Sequence, residues 1–132
     1  MLFNTEQEML DYAAKFAQQC EPPQIIFLQG ELGAGKTTFV RGFLRGLGYE
    51  GKVKSPSYHL VEMYEFLGKT IYHFDFYRIK DARELEFLGI SECFRDSICL
   101  IEWPEIGFSL LPQPTIIISI DTVDSGRKVF II

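Results

Sequence analysis

Two short apolar runs with no polar interruption, Ile25-Ile26-Phe27-Leu28 and Ile98-Cys99-Leu100-Ile101, stand out from the rest of the chain. Runs of this length predict strands covered on both faces, the pattern of a parallel sheet. Ahead of the first run, Met9, Leu10, Ala13, Phe16 and Ala17 recur at helical spacing. Thr5 and Glu8 precede them as a capping box. That helix is expected to end near Cys20, and Pro22-Pro23 makes a rigid entry into the first run. After it, Phe39, Val40, Phe43, Leu44 and Leu47 mark a second amphipathic helix, with Arg41 and Arg45 on its other side. Gly48 is the expected stop.

Further along, residues 48–56 read as loop and 58–66 as a strand, with Gly68-Lys69 as a tight hairpin turn into a strand over 70–75. Residues 84–88 predict a short helix closed by Gly89, and 91–95 another. Pro112 and Pro114 bracket a loop before a strand at 115–120. Gly126 then turns the chain into a last strand over 128–132. No repeat, low-complexity tract or linker divides the chain, so residues 1–132 are expected to form one domain.

Between the first run and the second helix lies Gly30-Glu31-Leu32-Gly33-Ala34-Gly35-Lys36-Thr37, a full G-x-x-x-x-G-K-[ST] pattern. Strand, glycine-rich turn and helix are the context this motif requires. Gly30, Gly33 and Gly35 free the backbone to aim successive N–H groups at phosphate oxygens. The positive end of the helix dipole adds to that field. Lys36 is expected to reach the β- and γ-phosphates, and the Thr37 hydroxyl to ligate Mg²⁺. The fold class that follows is α/β: a P-loop NTPase-like three-layer sandwich, its mixed, partly parallel sheet flanked by helices and carrying a hairpin inserted after the P-loop helix.

Composition narrows the setting. At 132 residues and 47% apolar, the chain matches an ordinary globular domain, and no apolar run approaches the length of a membrane span. The acidic, amphipathic N-terminus does not read as a signal peptide. Three cysteines, Cys20, Cys93 and Cys99, form no C-x-x-C pair, which points to reduced thiols in a cytoplasmic protein. A net charge of −5 disfavours a general DNA or RNA binder. The charge is uneven, however: Lys36, Arg41, Arg45, Lys52 and Lys54 are interrupted only by Glu50. Apart from Lys36, these residues read either as a solvated helix face with its loop or as a basic rim for an acidic partner or an RNA.

A phosphate loop needs an acid on a neighbouring strand. Glu102 ends the second apolar run, as such an acid should, and is the favoured metal residue, directly or through water. Asp75 ends a segment in which His73 interrupts the apolar character, suggesting a less buried strand. Its expected role is to orient the attacking water or hold the hydration shell of the metal. Ser55-Pro56-Ser57 stands where nucleotide switches keep a hydroxyl that senses the γ-phosphate. It is equally ordinary turn chemistry. Trp103, directly after Glu102, is either core or an aromatic that shapes the site or stacks on a base.

Four ordered segments carry a resemblance: G-E-L-G-A-G-K-T-T from Gly30, V-K-S-P-S-Y from Val53, H-F-D-F-Y-R from His73 and L-I-E-W-P from Leu100. Together they resemble the TsaE (YjeE) family of small bacterial P-loop ATPases. The resemblance implies a role in making N6-threonylcarbamoyladenosine at position 37 of tRNAs. It implies ATP and Mg²⁺ as cofactors and a complex of TsaD and TsaB as partner, with tRNA met indirectly through that complex. ATP hydrolysis, weak in the isolated protein, would reset the complex between turnovers. By the same likeness, Thr37 and Glu102 are Mg²⁺ ligands, Lys36 contacts phosphates and Asp75 is needed for hydrolysis. Gly33, Ala34, Gly35, Thr38, Ser57 and Trp103 complete the expected nucleotide contacts. Thr5 and Arg127 are the nearest matches to the family's N-terminal hydroxyl and C-terminal basic residue.

Two departures accompany the likeness. Ser57-Tyr58 replaces the usual Thr-Phe of S-P-T-F, keeping the hydroxyl without the methyl that restrains its rotamer. The segment after Arg127 is also short. Two other P-loop functions compete with an ATPase. A small-molecule kinase would supply lid arginines, yet after Arg95 the basic residues are only Arg127 and Lys128. A guanine-nucleotide switch would carry N-K-x-D, which does not occur. A nucleotide-dependent binding module with little catalysis stays open at this point.

Overall fold

The computed structural model describes residues 1–56 and 59–132, with Phe108 described by its backbone only. Seven strands form one sheet in the order β1-β7-β6-β2-β5-β4-β3. They are β1 (Leu2–Phe3), β2 (Gln24–Gln29), β3 (Val61–Phe66), β4 (Lys69–Asp75), β5 (Ile98–Glu102), β6 (Ile116–Val123) and β7 (Gly126–Ile131). The two uninterrupted runs become β2 and β5, side by side and parallel in the middle of the sheet. β6 continues the parallel set on one side and β4 on the other. The antiparallel pairs β3–β4, β6–β7 and β1–β7 finish the edges.

Helices α1 (Glu6–Gln18) and α2 (Lys36–Gly46) cover one face. Their apolar stripes bury Met9, Ala13, Phe39, Phe43 and Leu44 against Ile26, Leu28, Ile71, Leu100 and Ile118. The opposite face is closed by α3 (Arg83–Phe87) and by 3₁₀ turns at Ile90–Phe94 and Pro104–Leu110. There Leu85, Ile90 and Ile79 meet Phe27, Phe74, Cys99 and Ile101. The expected three-layer α/β sandwich is what forms.

The local signals act as chemistry requires. Thr5 caps α1, its hydroxyl accepting from Glu8 N at 3.2 Å, while the Glu8 carboxylate accepts from Asn4 N at 3.3 Å. The return bond of the capping box therefore reaches one residue further back than the standard form. α1 and α2 pack closely because Gly42 and Gly46 leave room. A Cβ on Gly46 would stand 2.3 Å from Ala14 O, and one on Gly42 2.6 Å from Leu10 O. Both obstacles are backbone, so they cannot swing away. Gly46→Ala should therefore lower stability by about 2 kcal/mol, overpacking of up to ~3 outweighing the ~1 gained in helix propensity. Urea unfolding monitored by circular dichroism checks this, and an unchanged midpoint would refute the close-approach argument.

Three expectations need correction, and two elements carry no expectation. β4 is not a less buried strand: it lies inside the sheet between β5 and β3, and His73 is fully buried. The polar ring is there because it has a partner, described below. The hairpin turn is Leu67-Gly68 rather than Gly68-Lys69, since Lys69 already pairs with Phe66. Both turn residues have positive φ, 54° and 74°, as a hairpin matching the strand twist demands. The strand expected over 58–66 begins only at Val61; Leu60, at φ 67°, precedes it, and Tyr58 lies outside the described residues. Finally, β1 and the 3₁₀ turn at Pro104–Leu110 were not foreseen, since two residues and a Pro-started turn carry no periodic signal.

Candidate active site

The loop between β2 and α2 owes its shape to glycines at two kinds of position. Gly33 (φ 81°) and Gly35 (φ 113°) take left-handed conformations, and Gly35 starts α2 from there. Gly30 is needed for closeness instead: a Cβ there would lie 2.5 Å from Ile120 O on β6. Gly35 also faces Met9 of α1, whose Sδ would sit 3.2 Å from an added Cβ. The first N–H groups of α2 are left without intrahelical acceptors, as at any helix start, and face the loop.

Among the described residues, five polar or charged side chains are buried, and four of them gather beside this loop: Lys36, His73, Asp75 and Glu102. The sheet explains the gathering. β4 and β5 run parallel with Asp75 opposite Glu102, so both carboxylates reach the carboxyl ends of their strands on the face that α2 covers. That is where ligands bind in open α/β sheets.

Each of these groups is held. Thr37 Oγ1 donates to Glu102, lying 2.9 Å from Oε2 and 3.2 Å from Oε1. His73 Nε2 lies 2.6 Å from the same Oε2. Asp75 accepts from Tyr77 N at 2.9 Å and from the Ser55 hydroxyl. Lys36 Nζ folds back onto Gly30 O and onto Glu31 O at 3.0 Å, with the Trp103 ring 4.1 Å away. Burial pushes the Lys36 ammonium below its ordinary pKa, while Glu102, Asp75 and Glu105 pull it back. Trp103 itself has φ 57°, an uncommon backbone state for a bulky residue, and its ring packs on Tyr77 with centroids 5.0 Å apart.

Two clefts open on either side of the loop and share Gly33, Gly35 and Thr38. One, about 410 Å³, holds Lys36, Thr37, Asp75, Glu102 and Trp103. The other, about 270 Å³, runs between Thr5, Met9 and Arg127. Arg127 reaches across from β7 and donates from Nε to Ala34 O at 2.9 Å. A larger depression of about 650 Å³ lies along the edge strand β3 and meets the first cleft only at Ser55. It contains none of the buried acids, so the chemistry belongs to the loop clefts.

All the expected site residues that are described thus line one continuous region around the loop: Thr5, Gly33, Ala34, Gly35, Lys36, Thr37, Thr38, Asp75, Glu102, Trp103 and Arg127. Trp103 stands on the side of Lys36 and the acids, away from Thr5 and Arg127. Ser57 lies outside the described residues. Its neighbour Ser55 makes the contact to Asp75. His73 was missed as a site residue, although a signal existed: it stands two positions before Asp75, so in a strand both side chains share a face.

The donor set suits Mg²⁺. Thr37 offers a hydroxyl and Glu102 a carboxylate, both hard oxygen ligands. No group of three or more His, Cys, Asp or Glu that could cage an ion exists among the described residues. Mg²⁺ does not need one, since phosphate oxygens and waters complete its shell.

Residues 3–129 match the model of the family described as threonylcarbamoyl adenosine biosynthesis protein TsaE. The chain is 50% identical to a Haemophilus influenzae protein named tRNA threonylcarbamoyladenosine biosynthesis protein TsaE, covering 96% of this chain and 84% of that one. A Borreliella burgdorferi protein of the same name is 35% identical, over 96% and 94% respectively. In three dimensions the chain superposes on the crystal structure of Bacillus subtilis YdiB with a TM-score of 0.79, at 32% identity, over 95% of this chain and 78% of that one.

Proposed function

The chain belongs to the TsaE family of tRNA threonylcarbamoyladenosine biosynthesis proteins, and on that premise we propose that it is a Mg²⁺-dependent ATPase acting on a TsaD–TsaB complex. One observation carries this reading: among the described residues, four of the five buried polar or charged side chains converge on the phosphate loop. Burying charge is costly unless it is used or paired. A lysine, two carboxylates and a histidine there fit phosphoryl chemistry better than any packing role.

The steps follow from the residues. N–H groups of the loop and the α2 start receive the phosphates. Lys36 exchanges its carbonyl partners Gly30 O and Glu31 O for β- and γ-phosphate oxygens. Thr37 and Glu102 would hold Mg²⁺, which when bound would supply positive charge against the charge of the phosphates. Asp75 accepts a hydrogen bond from the attacking water and draws it into line. The adenosine end fits the cleft of Thr5, Thr38 and Arg127, since Lys36 and the acids take the other side of the loop.

Weak activity alone also has a physical reading. The Asp75 carboxylate is already occupied by Ser55 and Tyr77 N. A partner that draws the 48–56 loop away would free the oxygen held by Ser55. TsaD and TsaB are the partners this reading names, with tRNA reached through them and the cytoplasm as the compartment. The free cysteines Cys20, Cys93 and Cys99 suit reducing surroundings. Among the described residues no helix is long and apolar enough to cross a membrane.

The test is phosphate release by the purified protein with TsaD, TsaB, tRNA, ATP and Mg²⁺. Stimulation by the complex, absent with a Lys36→Ala control, is the expected result. Release no greater than that control would defeat the proposal.

A further inference from the structure

His73 Nδ1 is the one buried side-chain nitrogen or oxygen without a hydrogen-bond partner among the described residues. Its ring is fully buried. Packing alone would favour an apolar side chain there, because an unmatched buried polar atom is destabilising. What the histidine adds is its other nitrogen, 2.6 Å from Glu102 Oε2. An ionised carboxylate only accepts, so Nε2 is the nitrogen that donates in this pair.

The geometry points to His73 as the positioning residue of the Mg²⁺ site. This inference rests on the reading above that Glu102 serves the metal. Oε2 is held from two sides, by His73 at 2.6 Å and Thr37 at 2.9 Å. Oε1 has only the longer 3.2 Å contact to Thr37 and is the oxygen left for a cation or its water. Without the imidazole, the only recorded hydrogen bond to this carboxylate among the described residues is from a hydroxyl that must itself face the metal. His73 therefore fixes the carboxylate plane that Glu102 presents, as outer partners of metal ligands do elsewhere. The sheet makes this possible: His73 lies one pleat repeat before Asp75 on β4, beside the strand that ends in Glu102.

The experiment compares His73→Leu and His73→Gln with the wild-type protein. Three quantities are measured: melting temperature without ligands, affinity for a fluorescent ATP analogue in chelator, and the Mg²⁺ concentration giving half-maximal tightening of that affinity. For His73→Leu the expected result is a lower melting temperature, since the buried Glu102 carboxylate loses a partner, with unchanged affinity in chelator. Its Mg²⁺ requirement should rise about tenfold or more. His73→Gln, whose amide N–H can replace Nε2, should recover most of the Mg²⁺ response.

A Leu variant with wild-type Mg²⁺ dependence overturns this inference alone. So does a Leu variant that weakens binding equally with and without Mg²⁺, since that marks a packing role. A wild-type protein whose nucleotide binding ignores Mg²⁺ overturns the ATPase reading and this inference with it. Should the Leu variant not fold, the Gln variant decides: a near-native Mg²⁺ response supports the role, and a tenfold weaker one at normal melting temperature overturns it.

Discussion

Asp75→Ala is expected to bind ATP as the wild type does and to release phosphate about 10²- to 10⁴-fold more slowly, the range a positioned acid or base contributes. The two carboxylates are neighbours in register but not in partners. Glu102 is tied to Thr37 and so to the start of α2, while Asp75 is tied to Ser55 and to the chain after β4. Removing Asp75 leaves the loop, Lys36 and the Thr37–Glu102 pair in place, so the determinants of binding survive. What is lost is the acceptor for the water proton. Glu102→Ala should do the reverse, weakening nucleotide binding only when Mg²⁺ is present. Equilibrium titration with a fluorescent ATP analogue and single-turnover phosphate release separate the two effects. If Asp75→Ala lost Mg²⁺-dependent binding and Glu102→Ala kept it, the roles would have to be exchanged.

How the acids come to differ also shows what a sequence can carry. The phosphate loop is legible because its chemistry is local: glycines, lysine and hydroxyl at set spacing, between an apolar run and an amphipathic period. Glu102 is legible because it ends a run whose burial is plain from composition. Asp75 is half legible. Its strand contains a histidine, and single-chain patterns score a polar residue as exposure. Burial of that ring depends on a carboxylate 29 positions later, so only the register of β4 against β5 reveals it. Arg127 is similar: its bond to Ala34 O spans 93 positions and requires β7 to lie next to β6, which crosses behind the loop. β1 has no local signal, for its two residues are ordered by β7. The left-handed Trp103 is likewise invisible to periodicity and follows from how the chain leaves the end of β5.

The second large effect belongs to Lys36. Lys36→Ala should lower ATP affinity roughly ten- to hundredfold, since hydrogen bonds to charged groups contribute about 1.5–3 kcal/mol and 1.4 kcal/mol is a tenfold change. The melting temperature of the free variant shows whether the fold persists. Proton linkage gives an independent check on the same residue. Burial lowers the pKa of the free ammonium below the ordinary lysine value of 10.5, and phosphate oxygens would raise it again on binding. Nucleotide therefore binds the protonated form. Below the free-state pKa the group is charged already, and affinity should be flat in pH down to the range, about pH 6 to 7, where the terminal phosphate itself takes up a proton. As pH rises through that lowered value, binding must take up a proton, so affinity should fall, and the fall should begin before 10.5. Lys36→Arg stays charged throughout, so this alkaline loss should vanish in that variant. A wild-type affinity that declines no earlier than the arginine variant would show that Lys36 is not desolvated before the phosphates arrive. Its folded-back contacts to Gly30 and Glu31 would then be incidental rather than a resting position the nucleotide must displace.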